Sequence, residues 1–514
     1  MSTRRIAAVF QMSLLAAGCS RDFCEEFFDG ECPNNGGNGA TGGDGTGGEG
    51  GGGTGGDGGG GGSPPAECEP SEGEPIGAAC GVFVKAGGTG TGTQASPFGS
   101  VTQAVAELGN ASRIYICGGE SFSGSIAIDG DVSITGGLDC ATWGYKDTNA
   151  KPEIEGVDVP AVSITGAGSG MLLSLRITSP DAVAAGASSV AVWIETASTT
   201  VRSCELSAGK GAVGIAGAPQ AKVATPATAN GKSGELGCDG TTTTNLGGDP
   251  GDNMCLLENV QGGLGGNGTN GTNGGGADDG VPLSASGQGG AGEIGGGSPM
   301  ACGNGGQGSQ GAAGTPGPGA LTSDIGSLSR GGFNGAAGGN GLTVGAFGQG
   351  GGGGGGANMC SGAGHGGGGG GAGGCGGKVG NGGGGGGGSF GLVSIEATLS
   401  LDNVAITTAS GGVGGAGDMG QEGMDGGSGG LPGGADACSG GPGGKAGRGG
   451  AAGGVRGGPS VGIAYVGEAP TETGDIDITT SLTLATGGPG GNGGGANIGD
   501  PGADGFSESR QQWP

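Results

Sequence analysis

The sequence predicts a mainly β chain whose short strands are interrupted by long glycine-rich blocks. Two observations carry that expectation. β-branched runs bounded by Gly, Asn, Asp or Ser recur between Arg113 and Leu206, and they return at 390–407 and 461–484. Regular short strands separated by turn signals mark an all-β architecture. Between those runs glycine falls at every third position: Gly411, Gly414, Gly417, Gly420, Gly423, Gly426 and Gly429 follow one another without a break. Three residues per turn is the repeat of an extended polyproline-II helix, and a glycine on one edge of each turn lets a neighbouring chain approach closely. Glycine makes up 152 of 514 residues and aromatics only 3%, so the apolar side chains suffice for one core of moderate size.

The chain opens with Arg4 and Arg5, then an apolar run over 6–17 that ends Leu14-Leu15-Ala16-Ala17-Gly18-Cys19. A basic start, a short apolar core and small residues before a cut form an export signal, too short for a stable membrane span. The block Leu15-Ala16-Ala17-Gly18-Cys19 resembles a bacterial lipoprotein signal, assigned to 1–18. That resemblance implies acylation of Cys19, and Ser20 in place of Asp favours the outer membrane or surface of a Gram-negative cell. Each buried acyl methylene would add about 0.8 kcal/mol of membrane affinity.

Residues 19–75 read as an acidic, glycine-rich stalk, because no Lys or Arg interrupts the carboxylates between Asp22 and Glu74. In an exported chain, disulfides are the default use of 14 cysteines. Cys24 with Cys32, Cys68 with Cys80 and Cys360 with Cys375 are the candidate pairs. Acylation of Cys19 would leave an odd cysteine over.

Order is expected from Ile76. Residues 76–229 begin with a strand at Val82-Phe83-Val84. Val101, Ala104, Val105 and Leu108 then show helical spacing, with Gly109 as the stop. Strand-like runs follow at 113–117, 125–128, 132–135, 161–165, 171–178, 190–194, 200–206 and 212–215. Further coils are expected at 389–410 and 459–486. A sandwich, a propeller and a solenoid all satisfy this pattern.

A resemblance narrows the choice. Gly90-Thr91-Gly92-Thr93, Ser96-Pro97-Phe98, Ala104-Val105 and Ile114-Tyr115-Ile116-Cys117-Gly118-Gly119, followed by Ile134-Thr135-Gly136-Gly137-Leu138-Asp139-Cys140-Ala141-Thr142-Trp143, resemble the opening of secreted right-handed parallel β-helix proteins of the pectin-lyase-like superfamily. The resemblance covers about Val82 to Ile215. It implies stacked coils with inward ladders, a cap helix at 100–108, and insertions emerging on one face.

On that reading the glycine-rich blocks 230–388 and 411–458 are insertions between coils, and 487–514 is a glycine-rich C-terminal segment. Fixing each glycine costs roughly 0.5–1 kcal/mol more than fixing alanine, which main-chain hydrogen bonds of about 0.5–1.5 kcal/mol each offset. The unbroken register and the cysteines inside the blocks favour order. The pattern resembles polyglycine-II bundles of some antifreeze proteins and those proposed for mycobacterial PGRS domains. A proline content of only 23 residues and the interruptions in the triplets argue against collagen.

Net charge of −28 argues against nucleic acid as a partner. No cofactor is expected. Asp278-Asp279 and Gly364-His365-Gly366 are fragments of a polysaccharide hydrolase signature, but its Asn-Thr-Asp and Arg-Ile-Lys elements are missing, and both fragments lie in glycine-rich blocks. His365 is the only histidine, so any histidine-dependent site must use it. Zinc on Cys302, Cys360, His365 and Cys375 is less expected than disulfides, because the spacing is loose. Gly414-Gly415-Ala416-Gly417-Asp418 approaches a calcium-binding nonapeptide without repeating. Arg176 and Arg202 are the strand-borne bases that a lyase would need, with outward, solvated side chains as the plainer role. The expectation is a non-enzymatic, cell-surface lipoprotein with a structural or adhesive role. Its partners would be the membrane, through the anchor, and a surface polysaccharide or surface protein. The alternative is a carbohydrate-binding or polysaccharide-degrading β-helix.

Overall fold

The computed structural model describes residues 68–514, apart from Gly130, 148–149, Asp239, 241–243, Leu257, 271–273, 283–301 and 359–361. It is mainly β, with large parallel sheets. The strands form three columns that the chain visits in rotation. The first holds Val82–Val84, Arg113–Cys117, Ser133–Leu138, Ser169–Leu173 and Ser198–Arg202; the second holds Ser121–Ser123, Glu153–Glu155, Arg176–Thr178 and Glu205–Ala208. Two long strands, Thr398–Thr408 and Thr471–Thr479, continue both columns at once. The third is a six-stranded sheet of Ile126–Asp129, Val162–Thr165, Ser189–Glu195, Ser389–Ile395, Ser460–Val466 and Ser507–Trp513. Neighbours within each column run parallel, an arrangement compatible with a parallel β-helix.

The ladders of side chains explain the stacking. Ile114, Ile134, Leu172, Val201 and Leu401 lie in register in the first column. Phe122, Ile154, Ile177, Leu206, Ile406 and Ile478 do so in the second. Ile126, Val162, Val192, Leu392 and Ile463 do so in the third. All belong to or pack on one buried cluster, where each fully buried aliphatic side chain contributes about 1.5–3 kcal/mol.

Corners are made by single residues of positive φ. Ser174, Ser203, Asn403 and Gly474 turn the chain from the first column into the second, and Thr196, Glu396 and Gly467 from the third into the first. This conformation is unfavourable for residues with a Cβ, so it needs support. The amides of Ser174, Ser203, Thr196 and Glu396 each donate to a carbonyl in the next turn, at 2.9–3.0 Å.

Both ends are closed. At the first, the helix Val101–Ala106 is N-capped by Ser100, whose hydroxyl accepts from the Gln103 amide at 3.1 Å, and Val101 and Ala104 face the core. In the final turn Glu472 stands in the Leu401 ladder position and Arg510 in that of Ile463. The two join through paired bonds of 2.6 and 2.5 Å. A charged pair thus ends the apolar ladders and protects the last edge from further strand pairing. Residues 68–75, grouped with the stalk by composition, are fastened to the stack. The Cys68 carbonyl accepts from Arg113 Nη1 at 2.9 Å and Tyr115 Oη at 2.8 Å, and Gly73 donates to the Tyr145 carbonyl at 2.8 Å.

All three glycine-rich insertions leave after the second column and return at the third. A serine opens the third column in four successive turns: Ser189, Ser389, Ser460 and Ser507. Each clasps the seam. Ser189 bonds Ser179, Ser389 accepts from the Ala409 amide, Ser460 bonds Thr408 and accepts from Ser481, and Ser507 bonds Thr480, all within 3.1 Å.

The insertions are ordered as extended segments bonded through their main chains with a period of three. In the segment 362–388, Gly366, Gly369 and Ala372 donate to 235, 232 and 229. Gly364, Gly367 and Gly370 donate to 269, 266 and 263, and Gly368, Gly371, Gly374 and Gly377 to 438, 441, 444 and 447. The carbonyls repeat the pattern toward three other segments: 366, 369 and 372 accept from 433, 430 and 427; 367 and 370 from 248 and 251; and 368, 371, 374 and 377 from 354, 351, 348 and 345. All these bonds measure 2.7–3.0 Å. Three donor neighbours and three acceptor neighbours therefore surround this segment. Buried main-chain groups must be paired, and here the pairing replaces side-chain packing.

Several expectations are corrected. Residues 212–215 are not a strand: Ala212 and Gly214 donate to Ala187 and Val413 within the bonded array. Residues 482–484 are not a strand either, and Leu482 is exposed. The segment Ser507–Trp513 is a strand, not glycine-rich tail, and polar residues replace the usual apolar alternation there. Cys375 is joined to Cys255, not to Cys360, because the array sets distant segments side by side. Cys68–Cys80, Cys117–Cys140 and Cys302–Cys438 are also joined, and Cys238 is disulfide-bonded. Cys19, Cys24, Cys32 and Cys360 lie outside the described residues. These disulfides point to an extracytoplasmic compartment.

Among the described residues Cys204 is the free cysteine. Burial pushes its thiol up to about 12. The thiolate is the reactive form, so iodoacetamide should leave Cys204 unlabelled in the native, oxidised protein and modify it only after denaturation. Mass mapping of labelled peptides checks this.

Candidate functional site

Two cavities stand out among the described residues. The larger, about 710 Å³, is lined mainly by apolar residues such as Val223, Leu256, Val344, Phe347 and Met424 beside the Cys255–Cys375 bridge. The second, about 490 Å³, is a trough on the outer face of the third column. Binding sites combine apolar walls with a few convergent polar groups; the first cavity also carries Glu258, Thr343, Lys378, Gln421 and Glu422, and the second adds the indole of Trp193 between Ser163, Thr165, Glu195 and Arg330.

Strand alternation builds the floor. Inward positions of Val162–Thr165 and Ser189–Glu195 feed the core, so Ser163, Thr165, Trp193 and Glu195 face out. Trp193 lies in register with Ser163. One wall comes from an antiparallel hairpin inside a glycine-rich insertion, Ser327–Ser329 paired with Gly332–Asn334. Its Leu328 and Phe333 fold back onto Phe390, Val393, Val461 and Trp513, with Phe333 and Phe390 edge to face at 5.3 Å. The hairpin turn presents Arg330, whose Nε lies 3.4 Å from Glu195 Oε1 and whose Nη2 bonds Glu396. The Glu396 bond raises the affinity of Arg330 for its proton. Among the described residues Trp193 Nε1 has no hydrogen-bond partner, and the hydroxyls of Ser163 and Thr165 make only 3.5 Å contacts to the carbonyls of Ile126 and Ile128. The trough thus offers an aromatic surface ringed by hydroxyls, carboxylates and a guanidinium.

Among the described residues, those singled out by sequence do not assemble into a site. His365 is half-buried in the glycine array; its Nδ1 accepts from the Gly237 amide at 2.9 Å and its Nε2 lies 3.5 Å from Cys238 Sγ. Asp278 and Asp279 are exposed on a different segment. Cys302 and Cys375 are held in separate disulfides, which removes them as zinc ligands. Asp418 is buried, with Oδ2 unpaired, and no cluster of metal-ligating groups includes it among the described residues.

Arg176 and Lys151 both bond Glu205 at 2.9 Å on the outer second column. Burial pushes the Glu205 carboxyl up, but the Lys151 and Arg176 bonds outweigh it and hold the group below its ordinary range. Arg202 lies in register with Asp402. The trough residues escaped sequence reasoning because the hairpin sits inside a glycine-rich block. The usable signal was Trp193, one of three tryptophans, at an outward strand position. No family model, curated protein or solved structure matches this chain.

Proposed function

We propose that this chain is a cell-surface lipoprotein with a structural or adhesive role: a right-handed parallel β-helix carrying polyglycine-II-like bundles, held at the outer membrane through acylated Cys19. The observation that carries this reading is the segment 362–388, bonded to six neighbours and stitched to distant segments by Cys255–Cys375. Such a construction gives a rigid, protease-resistant body suited to display in an oxidising environment.

The test is metabolic labelling with palmitate. Label should enter the wild-type protein, globomycin should block its processing, and Cys19→Ser should release it from the membrane fraction. A Cys19→Ser protein that still partitions fully with membranes would refute the lipid anchor as the sole attachment. A second reading, polysaccharide degradation, draws support from the Trp193 trough; release of reducing ends from neutral or pectin-like polymers would replace the non-enzymatic reading.

A further inference from the structure

We infer that the trough between the third column and the 327–334 hairpin is a binding site for a neutral saccharide chain, with Trp193 as the stacking surface. The inference deepens the adhesive reading above by naming a ligand class, and it rests on that reading only for its biological setting.

Four observations point to this ligand. First, the half-buried indole of Trp193 lies on the trough floor, beside Pro160 and Val190. A pyranose ring presents an apolar face of C–H groups that matches such a surface, with hydroxyls projecting around its edge. Second, the groups at the trough edge suit those hydroxyls. Trp193 Nε1 is a donor with no partner among the described residues, Ser163 and Thr165 are weakly engaged, and Glu195 and Arg330 supply acceptors and donors in fixed geometry. Third, the charge selects among saccharides. Two carboxylates, Glu195 and Glu396, share the single guanidinium of Arg330, and the whole chain carries −28. Uronate, sulfated and phosphate-bearing polymers are therefore repelled, which leaves neutral sugars. Fourth, the trough lies on the face of a sheet, where strand amides and carbonyls are bonded to neighbouring strands. An extended peptide would need a free strand edge, whereas a saccharide needs only side chains.

The experiment uses the full-length mature protein on an array of neutral and uronate-containing oligosaccharides, followed by calorimetry with the best neutral ligand. Binding confined to neutral glycans, weakened at least tenfold by Trp193→Ala and largely retained in Trp193→Phe, is the expected result. Arg330→Ala, on an exposed hairpin turn, should weaken binding with the melting temperature unchanged, which separates ligand contact from folding. No binding to any neutral glycan, preference for uronates, or equal binding by wild type, Trp193→Ala and Arg330→Ala would each overturn the inference. Palmitate labelling is scored separately. A labelled protein that binds no glycan refutes the trough alone, and an unlabelled protein that binds refutes the anchor alone.

Discussion

Gly370→Val should destabilise the protein by about 3 kcal/mol or more and open the glycine-rich insertions to proteolysis. Gly370 lies in the segment with six bonded neighbours. A Cβ built there would sit 1.9 Å from the Gly351 carbonyl oxygen, 2.7 Å from the carbon of that carbonyl and 2.8 Å from the Gly352 carbonyl oxygen. The obstacle is main chain on a bonded segment, so no rotamer change relieves it. Overpacking of a tight interior typically costs 1–3 kcal/mol. The displaced segment also loses the Gly370 amide bond to Gly263 and the carbonyl bond from Gly251, both 2.8 Å, at roughly 1 kcal/mol each. Gly331→Ala is the control: the hairpin turn leaves its new methyl in open space, with Ser329 Oγ at 3.8 Å the nearest atom. Thermal melts and limited digestion with thermolysin check both. Equal melting of Gly370→Val and Gly331→Ala would show that close approach in this segment is not needed for stability.

Loss of the bridges Cys255–Cys375 and Cys302–Cys438 should be the second large effect. They span 120 and 136 residues. In the chain-entropy model a crosslink closing about 100 residues stabilises by about 4.7 kcal/mol, so the two together rival the net stability of many whole domains. The glycine array has few side-chain contacts to compensate, because its order depends on main-chain bonds whose unfolded competitors are unusually free. The quadruple variant Cys255→Ser, Cys375→Ser, Cys302→Ser, Cys438→Ser should therefore lose the array first. Amides at Gly348, Gly351 and Gly354 should exchange fast, while those of the strand stack, such as Val192 and Leu392, stay protected. Hydrogen exchange read by mass spectrometry resolves the two regions. Uniform protection across both would refute the stabilising role assigned to these bridges.

Much of the strand stack was legible in the sequence. Runs such as Arg113–Cys117 and Ala161–Thr165 have β-branched residues at alternating positions, and the stop at Gly109 bounded the cap helix closely. The three-residue glycine period also foretold the bonding period. Three things were not legible. The short strands Ser121–Ser123 and Glu153–Glu155 contribute one inward residue each, Phe122 and Ile154, too few to form a pattern. The pairing of Cys375 with Cys255 depends on which segments lie side by side, which spacing does not encode. The trough joins Trp193 to Arg330, 137 positions further along the chain, through a hairpin whose few apolar residues are lost among the surrounding glycines.

The threefold bonding of 362–388 gives the insertions a frame, in the sense a coding sequence has one. Adding a single residue would rotate every later amide by about one third of a turn, handing each bond to the wrong neighbour for the rest of the segment. Adding three would restore phase and merely lengthen the block. Natural length variation in these blocks should therefore come in triplets, and drift by one or two residues should be confined to the loops that join them.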